Sequence, residues 1–494
     1  MLEFITSVNK VLNDFIWGVP AMVCILGVGL YLAVRTGVLP LRKFGYAMKN
    51  TLGRLFKKEK AAEGALTPFQ AVCTALSATV GTGNIAGVAG AIAIGGPGAV
   101  FWMWVAAFLG MMTNYSENVL GIFYRRRNEK GEWSGGAMYY LQDGLGSKKG
   151  CKGIGKVLAI LFAVFTLLAS FGIGAMGQVN KIVVNIESAF PIQALKDVVL
   201  YEGVTLYSLI IGITLVALAA AITLGGLKRV ASFAEKVVPF MVVLFILGSL
   251  VIVAVNYQNI LPAFGSIFST AFTPIAAAGG VAGATIREVM VQGFKRGVFS
   301  NEAGLGSSVM VHSNSNVKEP VKQGMWGIFE VFADTMIVCT LTALVVLTSG
   351  LYNLETGVLA EGVTDATLVA SAFDSVFSFG GIGSKFVAIA ILLFAFTTVL
   401  GWNHYGTKAW EYLFGVKSTK VYKVIHLVMI LFGALLTSSL AWDISDTFNG
   451  LMMIPNLIGV IALSGLVCKI TKNYLDRQKG LDVEPMLSAF KDEE

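Results

Sequence analysis

Apolar stretches of about 20 residues recur along this chain, and each is long enough to cross a bilayer as a helix. Charged residues make up only 14% of the 494 residues, whereas soluble domains carry roughly a quarter. The pattern therefore predicts an all-α polytopic membrane protein. Its eleven predicted transmembrane helices are 13–34, 68–93, 98–123, 154–178, 203–224, 237–256, 285–311, 325–349, 385–407, 424–441 and 448–469.

Positive charge is unevenly distributed between the predicted loops. If the N-terminus is outside, 30 of the 37 lysines and arginines fall in inner loops and the C-terminal tail. Cytoplasmic loops carry such an excess, so we expect a multi-pass protein of the plasma membrane, a prokaryotic inner or cell membrane. Its N-terminus would be outside and its C-terminus cytoplasmic. The same distribution explains the net charge of +7 without a nucleic-acid partner.

Two predicted helices are interrupted by glycines and polar residues. We call ATVGTGNIAG, at 78–87, the first break, and FSNEAGLGSS, at 299–308, the second break. Irregular backbone at membrane depth is tolerated only where it is buried in protein or lines a cavity. Paired broken helices in two halves of a chain indicate the binding site of a transporter.

Each break opens a group of five predicted spans, and the two groups have opposite orientation. This arrangement predicts an inverted repeat preceded by one extra span. The predicted parts are an extra span with a basic cytoplasmic linker (1–67), repeat one (68–257), repeat two (258–471) and a cytoplasmic tail (472–494). Within the linker, 44–60 is either an amphipathic segment on anionic lipid or a solvated connection.

The first break combines backbone and side-chain groups that suit a polar cargo. Unwound carbonyls coordinate a hard cation such as sodium, and free N–H groups at a helix start bind a carboxylate. The alternative is that its glycines only permit close helix packing. That alternative does not explain Thr82 or Asn84, so we favour a binding site.

The second break places a carboxylate, Glu302, at membrane depth. Ionisable residues there are rare and usually functional. Glu302 either binds the ammonium of a substrate, changes protonation state during transport, or caps the following half-helix.

Other acidic residues allow two interpretations each. Glu330 and Asp334 share one helix face, where they form part of a proton or ion path or pair with a cation such as Lys322 or Lys295. Asp443 and Asp446 form an outer gate with a basic residue such as Lys295 or Arg296, or are solvated loop residues.

Motifs of enzymes are missing from the sequence. It contains no HExxH, GxSxG or Walker loop, so we expect neither catalysis nor a cofactor. Coupling to an ATPase cycle is excluded on the same ground, and any driving force would come from an ion gradient. The five cysteines form no disulfide framework, and four are predicted to be small buried hydrophobes.

The stretch GGPGAVFWMWVAAFLG, at 95–110, together with both breaks, resembles the sodium:alanine symporter family. The resemblance implies the leucine-transporter fold, with one extra N-terminal span, a five-plus-five inverted repeat and two discontinuous helices. It also implies sodium-coupled symport of a small neutral amino acid, alanine or glycine, into the cell by alternating access. A sodium- or proton-coupled glutamine carrier is the alternative, followed by a channel or receptor of the same fold. We expect a monomer in the lipid bilayer.

SATVGTGN, at 77–84, is similar to the first core helix of the neurotransmitter-type sodium symporters. This similarity implies a sodium site formed by the carbonyls of Ser77 and Val80 and the hydroxyls of Thr397 and Thr398. The Thr79 carbonyl and Asn84 would serve a possible second ion, near Asp334. The implied substrate-binding residues are Gly81, Thr82, Gly83, Asn84, Gln178, Phe299, Ser300, Asn301, Glu302 and Trp402.

Overall fold

The structure is a computed structural model that describes residues 2–54, 64–201, 203–273, 285–436 and 440–490. Helices dominate these residues. They are α1 (Leu2–Ile16), α2 (Val19–Arg35), α3 (Leu39–Arg42), α4 (Phe44–Asn50), α5 (Pro68–Thr79), α6 (Val88–Gly95), α7 (Gly98–Phe123), α8 (Ala137–Tyr139), α9 (Lys152–Phe171), α10 (Gly177–Ala189), α11 (Gln193–Lys196), α12 (Leu206–Thr223), α13 (Gly226–Val255), α14 (Ile260–Thr270), α15 (Ile286–Asn301), α16 (Val309–His312), α17 (Pro320–Val331), α18 (Thr340–Thr348), α19 (Leu368–Asp374), α20 (Ile382–Phe414), α21 (Thr419–Leu435) and α22 (Leu440–Gln478).

Two short antiparallel hairpins complete the secondary structure. Strand β1 (Arg126–Arg127) pairs with β2 (Trp133–Ser134), and β3 (Val199–Tyr201) pairs with β4 (Val204–Thr205). Each hairpin lies between long helices, the first after α7 and the second before α12.

Eight helical stretches in the described part of the chain are long and apolar enough to cross a membrane. The pair Pro68–Thr79 and Gly83–Gly95, bent by 53°, makes a ninth. The predicted spans 98–123 and 285–311 are helical too, as α7 and as α15 with α16. A multi-pass helical architecture is therefore confirmed. The count of eleven, the inverted repeat and the orientation remain predictions.

Two of the predicted segments extend outside the described residues. The predicted span 424–441 runs into 437–439, and the basic segment 44–60 runs into 55–63. The part of that basic segment with described structure includes α4.

The two helices that lead into the breaks begin in the same way. In α5, the Thr67 hydroxyl accepts a hydrogen bond from the Gln70 amide, and the Gln70 side chain accepts one from the Thr67 amide. Thr285 and Glu288 form the same reciprocal pair at the start of α15. Such capping boxes satisfy two amide donors that a helix start leaves free, so both broken helices have fixed entry points.

Glycines allow the helices around the breaks to approach closely. A Cβ at Gly401 of α20 would lie 2.6 Å from Ala78 Cβ of α5, and a Cβ at Gly293 of α15 would lie 2.2 Å from the Ala99 carbonyl oxygen of α7. The backbones of these pairs are therefore in direct contact. α7 also packs along α17, and α20 along α9 and α10, so both breaks are enclosed by long helices.

Wide, π-helical turns occur beside several predicted site residues. Gly83–Gly87 contains Asn84, Gly172–Met176 ends shortly before Gln178, and Phe332–Cys339 contains Asp334. A π-helical turn adds a residue to the helix and rotates the side chains that follow, and such turns are frequent at functional sites. Here they change the direction in which three polar side chains point.

Candidate substrate and ion site

The first break begins where Val80 leaves the helix, with φ −78° and ψ 87°. The Gly81 amide donates to Asn84 Oδ1 at 2.9 Å, so it does not continue the helical ladder to the Ser77 carbonyl. The last carbonyls of a helix lack internal donors unless a cap supplies them. The Ser77 carbonyl is therefore available as an oxygen ligand at this end of α5.

The carboxylate of Asp334 connects the two breaks. Asn84 Nδ2 of the first break donates to Asp334 Oδ1 at 2.6 Å, and Ser300 Oγ, at the second, donates to Asp334 Oδ2 at 2.8 Å. The Thr335 hydroxyl also donates to Oδ2, at 2.8 Å. All four side chains are fully buried. The predicted pairing with Lys295 is wrong, because that lysine lies against Asp446 instead.

Glu302 ends α15 in a left-handed conformation, with φ 55° and ψ 10°. Its two carboxylate oxygens accept hydrogen bonds from Ser307 Oγ at 2.5 Å and from Trp402 Nε1 at 3.0 Å. The interpretation of Glu302 as a cap for the next half-helix is wrong. α16 begins only at Val309, with Ser308 at the preceding position, so Glu302 links the second break to α20.

The predicted pocket residues lie around the first break. Gln178 Oε1 accepts a hydrogen bond from the Thr82 hydroxyl at 3.1 Å. A Cβ at Gly83 would lie 3.0 Å from the Phe299 ring. Asn301 Nδ2 donates to the Thr335 hydroxyl at 3.0 Å, beside Asp334. These contacts place Thr82 beside Gln178 and Gly83 beside Phe299, and the substrate-binding role of the ten residues stays a prediction.

The two threonines predicted for the sodium site point in different directions. Thr398 Oγ1 lies 2.5 Å from the position that a Cβ of Gly81 would occupy, so its hydroxyl faces the first break. The Thr397 hydroxyl contacts its own helix and Met241 Sδ, at 3.5 Å. Geometry therefore favours Thr398 over Thr397 as a neighbour of the first break.

Several residues of the site escaped the sequence analysis. Cys339, interpreted there as a small hydrophobe, has its sulfur 3.4 Å from Asn84 Nδ2 and 3.3 Å from Ser300 Oγ. Of the five cysteines, two are buried, Cys73 and Cys339, so the prediction of four buried cysteines is wrong. The residue spacing did not predict that Cys339 lies beside Asp334. The two are five residues apart, and the π-helical turn brings them to the same side of the helix. Ser307 lies within the second break and was identifiable as polar.

Away from the breaks, Lys295 Nζ forms an ion pair with Asp446 Oδ2 at 2.8 Å. This is one of the pairings predicted for an outer gate. Asn13 adds hydrogen bonds to both partners, at 3.1 and 3.0 Å, and Trp17 Nε1 donates to the Asp446 carbonyl at 3.1 Å. The N-terminal helix α1 and the residue that follows it therefore join α15 to α22.

The sequence profile of the sodium:alanine symporter family matches residues 2–487. The chain belongs to this family. Sodium/alanine symporter AgcS of Methanococcus maripaludis is 42% identical over 481 residues, which cover 97% of this chain and 99% of that protein. The probable sodium/glutamine symporter GlnT of Bacillus subtilis is 34% identical, over 98% of this chain and 94% of that one.

The sodium:alanine symporter family is a family of secondary transporters, so the chain is a transporter and not an enzyme. Among solved structures, MhsT in complex with L-phenylalanine superposes with a TM-score of 0.54 at 14% identity, covering 83% of this chain and 99% of that one. Similarity at this level shows the fold, which is that of leucine-transporter-type proteins.

Proposed function

We propose that this protein carries a small neutral amino acid, alanine or glycine, into the cell together with sodium, by alternating access. The observation that carries the proposal is the buried carboxylate of Asp334, which accepts hydrogen bonds from both the first and the second break. Both breaks would then sense whether the space between them is occupied. Coupling of two ligands requires such a shared element.

Sodium would bind at the first break. The free carbonyl of Ser77, the carbonyl of Val80 and the Thr398 hydroxyl supply the oxygen ligands that a hard cation prefers. Thr397 completes the expected set with less geometric support, since its hydroxyl contacts Met241. The Thr79 carbonyl and Asn84 would serve a second ion, for which the nearby Asp334 supplies negative charge.

The amino acid would bind beside this ion. Its carboxylate would meet the amides of Gly81 to Gly83, because free N–H groups at the start of a half-helix bind anions. Its ammonium would lie near Ser300, Asn301 and Glu302. The close approach of Gly83 to the Phe299 ring would disfavour a long side chain there, and this supports alanine or glycine as the amino acid.

Uptake into proteoliposomes tests this proposal. Radiolabelled alanine, glycine and glutamine are compared under an inward sodium gradient, an inward proton gradient and no gradient. We expect accumulation of alanine or glycine above equilibrium with sodium alone. Protein-free liposomes and the N84L variant give the background.

Three outcomes would contradict the proposal. Equilibration without any gradient would indicate a channel or uniporter. Accumulation driven only by protons would replace sodium as the coupling ion. Preference for glutamine would favour the activity named for GlnT and require a wider pocket than the Phe299 contact allows.

A further inference from the structure

A second titratable pair, on α16 and α17, lies next to the second break. His312 Nε2, at the end of α16, is 2.9 Å from Glu330 Oε2 of α17, and both side chains have no exposed surface. Gln323 Nε2 lies 2.6 Å from His312 Nδ1. With the amide as donor, Nδ1 is an acceptor and Nε2–H points at the carboxylate. The pair in this form has a net charge of −1.

The surroundings of this pair add negative charge. Glu117 of α7, Glu302 at the second break and Asp334 on the segment after α17 all interact electrostatically with Glu330. Tyr405 of α20 is a further titratable group facing it. A buried charge without compensation is strongly unfavourable. The cluster therefore needs additional positive charge, from an ion or a proton.

The contacts of Glu330 favour a proton over a metal cation. Oε2 faces nitrogen donors, His312 Nε2 at 2.9 Å and Asn114 Nδ2 at 3.5 Å. Sodium requires several oxygen ligands, which these nitrogens do not provide. Oε1 is buried and has no hydrogen-bond partner among the described residues, so protonation of the carboxylate removes a charge that nothing else there offsets.

The pair is mechanically connected to the second break. Asn114 Nδ2 donates to Ser308 Oγ at 3.2 Å as well as approaching Glu330. His312 lies only four residues beyond Ser308, on the short helix that follows the break. Any movement of the second break therefore changes the distance between His312 and Glu330, and protonation of the pair changes the energy of that movement.

We propose that the Glu330–His312 pair is a proton site, which is occupied while sodium is absent and vacated when sodium binds. Sodium bound near the first break adds positive charge close to Asp334 and Glu330, which weakens proton binding by the pair. By thermodynamic linkage, a proton on the pair weakens sodium binding by the same factor. One proton would then leave the cell during each return of the empty carrier. The inference rests on the proposed transport function but not on which amino acid is carried.

Lumenal pH during transport tests this inference. Proteoliposomes containing a trapped pH dye receive an inward sodium gradient and labelled alanine. We expect the lumen to become alkaline in step with uptake, because protons move outward as sodium enters. In E330Q the lumenal pH change should fall by about tenfold while sodium-driven uptake persists, since Gln keeps the shape and cannot take the proton.

A matched control is offered by His426, which is also fully buried but lies on α21 beside Tyr422. H426N should retain the lumenal alkalinisation, and H312N should lose it. The sodium concentration for half-maximal binding in the wild-type protein should rise by about fivefold or more as the pH is lowered. That rise should be absent in E330Q.

Sodium-driven uptake without a lumenal pH change in the wild type would overturn the proton site and leave the symport proposal standing. Acidification of the lumen would overturn the proposed direction. An unchanged pH signal in folded E330Q would assign the proton to another group. If E330Q does not fold, the wild-type competition between sodium and protons decides, and its absence would refute the inference.

Discussion

The helices that lead into the first and second breaks begin with the same capping box, but the two breaks are stabilised in different ways. In the first break, the Gly81 amide donates to the Asn84 side chain and therefore does not continue the helical ladder to the Ser77 carbonyl. In the second break, the backbone takes positive φ angles at Glu302, Gly304 and Gly306, and its groups are bound to other helices. Glu302 accepts from Trp402, and the Gly304 carbonyl accepts from Asn456 Nδ2 at 2.8 Å.

This difference indicates that the two breaks have different roles. A stretch with free backbone groups can bind an ion and a carboxylate, as we propose for the first break. A stretch bound to several helices transmits movement between them, as we propose for the second. Asn456 strengthens the second break further, because it also donates to Glu117 Oε1 and accepts from Tyr140.

The largest expected effect comes from N84L, which removes the side chain that shapes the first break and contacts Asp334. A hydrogen bond to a charged group contributes about 1.5–3 kcal/mol, equivalent to about ten- to a hundredfold in affinity. We expect amino-acid binding, measured at equilibrium in detergent, to fall by that factor. The control N185L changes an asparagine whose side chain donates to the Lys181 carbonyl of its own helix. Retained binding in N84L would remove the distinction between the breaks.

G81A tests whether sodium binds at the first break. The added Cβ would lie 2.5 Å from Thr398 Oγ1, and overpacking of this kind costs about 1–3 kcal/mol. The sodium concentration for half-maximal uptake should therefore rise by about tenfold. G87A is the matched control, since a Cβ there meets nothing within 4 Å. Equal effects of the two substitutions would argue against a sodium site beside Thr398.

W402F tests the second break as a transmitting element. It removes the indole N–H that binds Glu302 and keeps an aromatic ring, and a hydrogen bond to a charged group contributes about 1.5–3 kcal/mol. We expect the maximal uptake rate to fall by about tenfold with little change in the sodium requirement. W410F is the control, because Trp410 Nε1 binds Ser418 instead. A raised sodium requirement in W402F would mean that the breaks share one role.

The smallest expected effect concerns the two threonines of the proposed sodium site. T398A should raise the half-maximal sodium concentration by about fivefold, since a neutral hydrogen-bonding ligand contributes about 1 kcal/mol. T397A should raise it less, because the Thr397 hydroxyl faces Met241. Uptake measured over a sodium series compares the two. The reverse order would show that Thr397 turns toward the first break when sodium binds.

Much of the site was predictable because its residues are polar at membrane depth. Thr82, Asn84 and Glu302 stand out against apolar neighbours, and the prediction that Asp446 pairs with a basic residue such as Lys295 is confirmed. The contact of Asn13 and Trp17 with that pair was not predictable, since no periodicity relates residues that are 282 to 433 positions apart. Cys339 was missed because a thiol among apolar residues reads as a hydrophobe.

The sequence by itself determined that the chain crosses a membrane as helices and that two of these helices are interrupted. The reason is local: apolar runs of fixed length must satisfy their own backbone groups in lipid. Only the tertiary structure decided what the interruptions do. The pairing of Asn84 and Ser300 on Asp334, and of His312 with Glu330, depends on helix packing and π-helical turns, which rotate side chains in a way that residue spacing does not encode.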